Sequence, residues 1–256
     1  MFSLQDRRIL ITGASRGLGS VCAKSFAAEG AKLALMARSE EALNEVRLSC
    51  DHAAEHLTVA VDLTDDKRLE EKLDEAVGFL GEIDAVLHAA GGGLGLREPL
   101  ISSDDLFRLF SLNVAAAAEV NRLLVPSMTE RGRGNLVHVG SIASAEAVAS
   151  VGYNTAKAAL AAYVRSLGNH LASSGIVVTG VLPGGFNAPG NSWERLRANK
   201  PDVVDRFVTE RLPRGRLAEA DELVPLIGFL CSDAASMMGG CLVPIDAGEG
   251  RTYSIV

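Results

Sequence analysis

The chain has 256 residues, of which 48% are hydrophobic and 22% charged, and it carries a formal net charge of −7. This composition is typical of one large globular domain and argues against a disordered or fibrous chain. It also argues against a nucleic-acid-binding surface, because such a surface needs clustered lysine and arginine to offset phosphate charge.

Short apolar runs alternate along the chain with longer segments of helical pattern. The runs are nearly continuous in apolar residues, as in the strands of a parallel sheet that is covered on both faces. Repeated strand–helix units predict an α/β fold, a doubly wound parallel sheet of about seven strands with helices on both faces. In chain order we predict strands at residues 7–13, 31–37, 56–62, 83–91, 134–141, 176–184 and 241–248, and helices at residues 17–29, 40–50, 66–80, 103–131, 150–172 and 221–232.

No linker, internal repeat or shift in composition divides the chain, so we predict one domain over residues 1–256. Residues 185–216 are poor in periodicity. We interpret them as an insertion over the carboxyl ends of the strands, where open α/β sheets bind ligands.

Cysteine spacing and the first residues of the chain bear on the cellular compartment in which the protein is expected. Cys22, Cys50, Cys231 and Cys241 show neither CxxC nor metal-ligand spacing, so we expect buried free thiols and no metal site. No apolar run reaches the roughly 18 to 20 residues that cross a bilayer, and the first residues lack a signal peptide's hydrophobic region. We therefore expect a cytoplasmic protein that does not bind membranes.

A glycine-rich stretch, TGASRGLG at residues 12–19, follows the first predicted strand and opens the first predicted helix. Gly13, Gly17 and Gly19 suit a dinucleotide-binding loop, because glycine permits a tight turn, close approach of the backbone to a pyrophosphate and close packing of the helix. The spacing is GxxxGxG instead of the GxGxxG fingerprint. The loop alone therefore does not identify a nucleotide site.

The motifs that follow occur in an order that resembles the short-chain dehydrogenase/reductase family, including its β-ketoacyl-acyl-carrier-protein reductases. The resemblance covers practically the whole chain. It implies a single-domain Rossmann fold, a nicotinamide cofactor and oxidoreductase activity. It is carried, after TGASRGLG, by Asp62 at a strand end, AAG at Ala89, Ala90 and Gly91, Asn113 in SLNV, Ser141 in GSIAS, Tyr153 and Lys157 in YNTAK, and PG at Pro183 and Gly184. The catalytic group that the family implies is Asn113, Ser141, Tyr153 and Lys157.

Tyr153 and Lys157 lie four residues apart in a predicted helix and therefore share one face. A tyrosine hydroxyl, whose usual pKa is about 10, exchanges protons poorly near neutrality unless its phenolate is favoured. We expect the Lys157 cation, aided by the positive nicotinamide ring of the oxidised cofactor, to lower the pKa of Tyr153. Tyr153 would act as general acid/base while Ser141 orients the substrate oxygen. Asn113 would support a water-linked proton path to Lys157, which the resemblance also assigns to the nicotinamide ribose. A surface tyrosine beside a solvated lysine is the alternative for the YxxxK pair alone.

The end of the second predicted strand indicates which cofactor binds. Ala37 stands where family members that prefer NAD usually have an acidic residue, and Arg38 follows it. Arg38 offers a guanidinium fork to a 2′-phosphate, Arg16 a second cation and Ser39 a hydroxyl. We expect NADP(H) to be preferred and NAD(H) to be possible. Alternatively, Arg38 is a solvated residue before a helix that Ser39 caps.

Asp62 has two interpretations. It would accept a hydrogen bond from the adenine amino group, with Leu63 packing nearby, or else Asp62 or Thr64 caps the next helix. The complete set of cofactor-binding candidates is Gly13, Ser15, Arg16, Gly17, Leu18, Gly19, Arg38, Ser39, Asp62, Leu63, Ala89, Ala90, Gly91, Tyr153, Lys157, Pro183, Gly184 and Phe186.

Several departures from the family pattern limit any inference about the substrate. His88 begins HAAG where many members have NNAG, and we interpret it as a packing residue at a strand end rather than a catalytic base. The loop between Ser141 and Tyr153 is about one residue shorter than usual. The family's threonine near the cofactor amide is not evident after Pro183 and Gly184, so backbone groups would serve there.

Two substrate classes follow from the sequence, and a function of another class stays open. Polar and cationic residues of the insertion favour a small polar or sugar-like carbonyl or alcohol, although they also fit a solvated helical lid. The alternative is a 3-oxoacyl-acyl-carrier-protein reductase, which needs a basic patch for its acidic carrier. A catalytically silent NADP(H)-binding sensor is the third possibility. The insertion residues concerned are Asn187, Asn191, Trp193, Arg195, Arg197, Asn199 and Lys200.

The family resemblance implies a homotetramer that assembles through residues 103–131, 150–172 and 241–256. Alanines at 115–118 and within 158–162 would permit close packing of helices, and a contact within one chain explains them equally well.

Overall fold

The computed structural model describes residues 3–252, and its central feature is a parallel sheet. Its strands are β1 (Arg8–Thr12), β2 (Lys32–Ala37), β3 (Leu57–Ala60), β4 (Ala85–His88), β5 (Gly134–Val139), β6 (Ile176–Pro183), β7 (Phe186–Asn187), β8 (Ala218–Glu219) and β9 (Leu242–Ile245). Within the described residues, seven of them form one sheet in the order β3-β2-β1-β4-β5-β6-β9. Each predicted run contains one strand of this sheet, which confirms the doubly wound Rossmann fold. Residues 1–2 and 253–256, part of the predicted domain and assembly segment, lie outside the described range.

Most helices follow the predicted segments, with two local differences, and two further helices lie within the insertion at residues 185–216. They are α1 (Gly17–Ala28), α2 (Glu40–Leu48), α3 (Asp66–Leu80), α4 (Ser103–Phe110), α5 (Ala116–Arg131), α6 (Val151–Leu171), α7 (Ser192–Asn199), α8 (Pro201–Arg211) and α9 (Val224–Leu230). The helix predicted over 103–131 is interrupted by a π-type turn at Ser111–Ala115. The helix predicted over 221–232 begins at Val224, because Pro225 lacks an N–H and occupies the first turn.

Hydrophobic side chains fill the space on both faces of the sheet. Ile9 and Ile11 of β1 pack with Phe26 of α1 and Ile227 of α9 on one face. The intervening Leu10 belongs to the cluster of α3, α5 and α6 on the other face. Because successive side chains of a strand point to opposite faces, this alternation places helices on both sides of the sheet, as predicted.

The strand order reverses direction between β1 and β4, which are neighbours although β2 and β3 lie between them in the chain. In open α/β sheets this arrangement leaves a crevice at the carboxyl ends of the strands. The predicted insertion at 185–216 begins at this edge. Its two ends are tied together by the short parallel pair of β7 and β8, and α7 and α8 lie between those strands.

Candidate active site

The glycine-rich loop after β1 has the conformation that its glycines predict. Gly13 and Gly17 have φ angles of 71° and 63°, in the left-handed region that favours glycine. A Cβ atom on Gly13 would lie 2.6 Å from the backbone nitrogen of Ala90, whereas one on Gly17 would meet no atom within 4 Å. A side chain on Gly17 would thus point into open space, and the N–H groups at the start of such a helix attract anions. These residues fit a dinucleotide pyrophosphate.

The insertion lies against this loop. The Gly17 N–H donates to the carbonyl oxygen of Pro189 at 2.7 Å. The exposed Arg16 packs its side chain against Gly190, since a Cβ atom there would lie 3.4 Å from the Arg16 Cδ. Arg16 is thus close to both the pyrophosphate loop and the insertion.

The ends of β2 and β3 bring Arg38 and Asp62 together. Arg38 is exposed, and Ser39 caps α2 by accepting from the Ala42 N–H at 3.2 Å. The pKa of Asp62 lies below its usual range, chiefly because its carboxylate accepts from the N–H and hydroxyl of Thr64, with a further contribution from the Arg38 charge.

The two proposed helix caps at Asp62 and Thr64 are not formed. Asp65 caps α3 instead, and its carboxylate accepts from the Arg68 N–H. Asp62 lies too early in the chain and closes a local turn with Thr64. Leu63 lines a recess with Thr12, His88 and Ala90, so two predicted cofactor residues share one surface.

Ser141, Tyr153 and Lys157 converge beside the loop that follows β4. Ser141 lies just after β5 and makes a side-chain hydrogen bond with Tyr153, which lies in the first turn of α6. The Lys157 Nζ lies one helical turn further on, 5.6 Å from the centroid of the Tyr153 ring, and donates to the carbonyl oxygen of Val139 at 2.8 Å. Gly93 borders this group, since a Cβ atom there would lie 3.8 Å from the Tyr153 ring.

Burial, and not charge, dominates the titration of this pair. Burial raises the pKa of Tyr153 to about 12, and the hydrogen bond with Ser141 opposes the increase. Burial also lowers the pKa of Lys157, which is only 3% exposed, to about 8. The loss of hydration therefore outweighs the opposing hydrogen bond with Ser141, and the net shift of the Tyr153 pKa is upward. The expected lowering of this pKa by Lys157 together with the oxidised nicotinamide ring stays a prediction.

Asn113 is buried in the π-type turn between α4 and α5. Its Nδ2 donates to the carbonyl oxygen of Leu109 at 2.9 Å and so takes the place of a helical N–H donor, which explains the local widening of the helix. Asn113 also exchanges two hydrogen bonds of 3.0 Å with the backbone of Gly92. A Cβ atom on Gly91 would lie 2.8 Å from the Asn113 Oδ1 and 3.3 Å from the Lys157 Nζ. Asn113 and Lys157 therefore meet at one glycine.

The polar side chains of the insertion are largely engaged within the insertion itself. Asn191 caps α7 and donates to the Phe186 carbonyl, Asn187 donates to Glu219, and Trp193 packs on Phe207 with ring centroids 4.3 Å apart. These contacts fit a structural lid. They do not single out the side chains as substrate ligands.

Sequence reasoning missed two carboxylates near the carboxyl ends of β5 and β6. Glu249, which is 4% exposed, accepts from the Gly185 N–H at 2.6 Å. Glu146 accepts from the N–H groups of Arg251 and Thr252. Neither residue belongs to a recognisable motif, so only the three-dimensional arrangement reveals them.

The described residues, 3–252, contain neither a disulfide nor a metal-binding cluster. The four cysteines are free thiols, and no group of His, Cys, Asp or Glu in this range is arranged to hold a metal ion. No helix there is long and apolar enough to cross a membrane.

Comparison with known proteins identifies the family. The family model described as Enoyl-(Acyl carrier protein) reductase matches residues 13–249. The chain belongs to the short-chain dehydrogenase/reductase family. Gluconate 5-dehydrogenase of Gluconobacter oxydans (strain 621H) is 31% identical over 252 residues, which cover 97% of this chain and 96% of that protein.

Two further proteins that match this chain illustrate the range of substrates among its relatives. The 3-oxoacyl-[acyl-carrier-protein] reductase of Pseudomonas aeruginosa is 26% identical, with 96% of this chain and 98% of that protein covered. The crystal structure of L-sorbose reductase from Gluconobacter frateurii, complexed with NADPH and L-sorbose, matches with a TM-score of 0.89 and 28% identity. That match covers 98% of this chain and 99% of the other. The protein is accordingly an oxidoreductase that acts on a CH–OH or C=O group with a nicotinamide cofactor.

Proposed function

We propose that the protein is an NADP(H)-dependent reductase or dehydrogenase of small polar or sugar-like carbonyls and alcohols, with Tyr153 as general acid/base. The observation that carries the proposal is the convergence of Ser141, Tyr153 and Lys157 beside Gly91 and Gly93 at the carboxyl edge of the sheet. The nicotinamide, when bound, supplies or accepts the hydride.

The protein's own groups then manage the proton. Tyr153 is protonated at neutral pH, since its pKa is raised to about 12 by burial, and it can donate to the oxygen of a carbonyl that is being reduced. The Ser141 hydroxyl, which already contacts Tyr153, orients the same oxygen. The buried Lys157 keeps a cation beside the tyrosine ring and lies next to Gly91 with Asn113, which supports a proton path between these residues.

NADP(H) is the cofactor that the charges favour. Arg38 and Arg16 place two guanidinium groups near the edge that holds the glycine-rich loop, and Ala37 brings no carboxylate that would repel a 2′-phosphate. The remaining cofactor candidates surround the same edge. NAD(H) is the weaker candidate.

The substrate class rests on the relatives more than on the insertion. Gluconate 5-dehydrogenase and L-sorbose reductase both carry sugar-derived substrates in their names, and both match nearly the whole chain. Reduction of 3-oxoacyl thioesters is the second candidate, favoured by the match to a 3-oxoacyl-[acyl-carrier-protein] reductase. A cofactor-coupled absorbance screen of keto and hydroxy sugars against 3-oxoacyl thioesters decides between them. Tight NADPH binding without turnover on either panel would favour a silent sensor.

We also propose a cytoplasmic homotetramer with residues 185–216 as the substrate-facing part of one domain. Exposed apolar side chains on the predicted contact helices support assembly, with Phe107 at 70% and Val151 at 50% exposure. Light scattering at micromolar concentration should report a particle of four chains. Particles of only one chain, 26.9 kDa, would contradict this.

The role of Tyr153 is tested by Tyr153→Phe, which removes the hydroxyl and keeps the ring. Turnover should fall by about 10²- to 10⁴-fold, as is typical when a general acid/base is lost, while NADPH affinity changes little. Tyr163→Phe, on the same helix, is the matched control and should keep parental turnover. Turnover of the Tyr153 variant within a few-fold of the parent would remove Tyr153 from the mechanism.

A further inference from the structure

The turn that follows β9 is closed by its own first residue. The carboxylate of Asp246 accepts from the N–H groups of Gly248 and Gly250 at 3.0 and 2.9 Å. This turn directs the side chain of Glu249 inward, where it is buried except for 4% of its surface. Glu249 thus lies in a locally ordered part of the chain.

Glu249 contacts the backbone at the end of β6. Its Oε2 accepts from the Gly185 N–H at 2.6 Å, and the Gly185 carbonyl oxygen accepts from the Ala218 N–H at 3.1 Å. Both polar backbone groups of Gly185 therefore have a partner. Because an unpaired buried N–H is costly, the carboxylate favours this one conformation of the chain after Pro183.

The neighbouring Gly184 is shaped to admit this carboxylate. A Cβ atom on Gly184 would lie 2.4 Å from the Glu249 Oε2 and 3.0 Å from the Asp246 Cβ. Any side chain at position 184 would displace the glutamate. The glycine and the glutamate are therefore complementary in shape.

The same C-terminal segment also contacts the loop between β5 and α6, which begins at Ser141. The Glu146 carboxylate of that loop accepts from the N–H groups of Arg251 and Thr252 at 2.5 and 2.8 Å. Residues 246–252 thus connect the Ser141 loop with the end of β6. Glu146, Asp246 and Arg211 supply the charges that act on Glu249.

We propose that Glu249 is a positioning residue for the cofactor, because it holds the backbone of Pro183–Phe186 in the conformation that receives the nicotinamide end. The proposal rests on the proposed function and on the family resemblance, which implies that this stretch lies near the cofactor amide. Glu249 does not touch the reacting atoms in this role. It acts through the Gly185 N–H.

The test compares the whole cofactor with a fragment that lacks the nicotinamide half. NADPH and adenosine 2′,5′-bisphosphate are titrated calorimetrically into the parent, Glu249→Ala and Glu249→Gln, with exposed Glu210→Ala as the matched control. We expect Glu249→Ala to bind NADPH about tenfold more weakly, the size expected when a buried N–H loses its acceptor, and to bind the fragment as the parent does. Glu249→Gln keeps an acceptor oxygen at the same distance and should stay within about threefold of the parent, as should Glu210→Ala.

The outcomes separate this proposal from the proposed function. A parent that binds neither NADPH nor NADH refutes the proposed function itself. A parent that binds NADPH, with a Glu249→Ala variant that binds it equally well, refutes only the positioning role. The positioning role is also refuted if Glu249→Ala loses affinity for NADPH and for the fragment equally, or if Glu249→Gln binds NADPH as weakly as Glu249→Ala does. If circular dichroism shows that the Ala variant is unfolded, Glu249→Asp, which shortens the side chain by one methylene, should show the same selective loss, and an unselective loss refutes the role.

Discussion

Replacing His88 by asparagine should make the stability of the protein less dependent on pH between 7 and 5. His88 and His138 are paired residues on β4 and β5, and their rings stack with centroids 4.5 Å apart. Both are almost fully buried, at 4% and 0% exposure. A buried ring without a carboxylate partner resists protonation, because its charged form loses hydration.

The hydrogen bonds around Asn121 indicate which ring nitrogens carry a proton. The Oδ1 of Asn121 can only accept, so the His88 Nε2 at 2.8 Å carries a proton. The Asn121 Nδ2 donates to the Tyr163 hydroxyl and also approaches the His138 Nε2 at 3.3 Å. The His138 Nε2 is therefore an acceptor, and the His138 Nδ1 donates to the Thr179 carbonyl oxygen. A proton on the His138 Nε2 would oppose the amide N–H of Asn121.

The sign and size of the effect follow from the pKa of His88, which burial lowers from 6.5 to about 4. The unfolded chain binds a proton at this residue below its ordinary pKa, whereas the folded ring stays neutral until the lower value is reached. Stability is therefore fully present above pH 6.5 and is lost as the pH falls toward 4. Between pH 7 and pH 5 the loss from one such ring is about 2 kcal/mol. Burial also lowers the pKa of His138, so its loss has the same sign.

Urea denaturation at fixed protein concentration, followed by circular dichroism at pH 7, 6 and 5, measures this loss. His88→Asn should lower the stability at pH 7, since the stacked ring is removed, and should reduce the further loss down to pH 5 by about 2 kcal/mol. His170→Asn is the matched control, because His170 is exposed on α6. An unchanged pH dependence in the His88 variant, or an equal change in the control, would refute the reasoning.

Three other substitutions test the cofactor site and the fold. Lys157→Met should reduce both turnover and NADPH binding, because the lysine has two proposed roles, one beside Tyr153 and one at the nicotinamide ribose. A loss confined to thermal stability would instead indicate a structural role. Arg38→Ala should weaken NADPH binding by about ten- to a hundredfold and leave NADH binding nearly unchanged, since a hydrogen bond to a charged group is worth about 1.5 to 3 kcal/mol. An equal decrease in kcat/KM with both cofactors would contradict a contact between Arg38 and the 2′-phosphate. Asp84→Asn should lower the free energy of unfolding by about 2 to 3 kcal/mol, because Arg8, which donates to both Asp84 oxygens, would lose a charged partner. A change in the free energy of unfolding below about 1 kcal/mol, measured by urea denaturation, would show that the Arg8–Asp84 ion pair contributes little to stability.

The sheet was predictable because each of its strands is a compact apolar run. Leu33–Met36 in β2 and Val177–Val178 in β6 are buried on both sides, and such continuous runs are typical of parallel strands. The helix over 103–131 was predictable as a helical segment but not as two helices. Its π-type turn depends on a side-chain bond of Asn113 to Leu109, which leaves no trace in hydrophobic periodicity.

Contacts between distant parts of the chain were not predictable in the same way. Asn121 reaches His88 across 33 positions, and Glu249 reaches Gly185 across 64. Each contact depends on strand register or on the path of a turn, which a local pattern does not encode. The insertion was equally hard to interpret, because the polarity of Asn191 and Asn187 fits either a polar substrate or a helical lid. In the structure their side chains satisfy a helix cap and a neighbouring carboxylate, contacts that the sequence does not show.

The ionisation of Tyr153 shows why a motif predicts the position of a candidate catalytic group better than it predicts that group's pKa. The YxxxK spacing places an ammonium group near the tyrosine, and from the sequence we expected that charge, aided by the oxidised nicotinamide ring, to lower the tyrosine pKa. The folded chain also buries both groups, and the resulting loss of hydration raises the pKa of Tyr153 to about 12 and lowers that of Lys157 to about 8. The two shifts have one cause and opposite directions, since burial disfavours the phenolate and the ammonium alike. Burial therefore keeps the Tyr153 hydroxyl protonated at neutral pH, which is the form that the proposed reduction of a carbonyl requires.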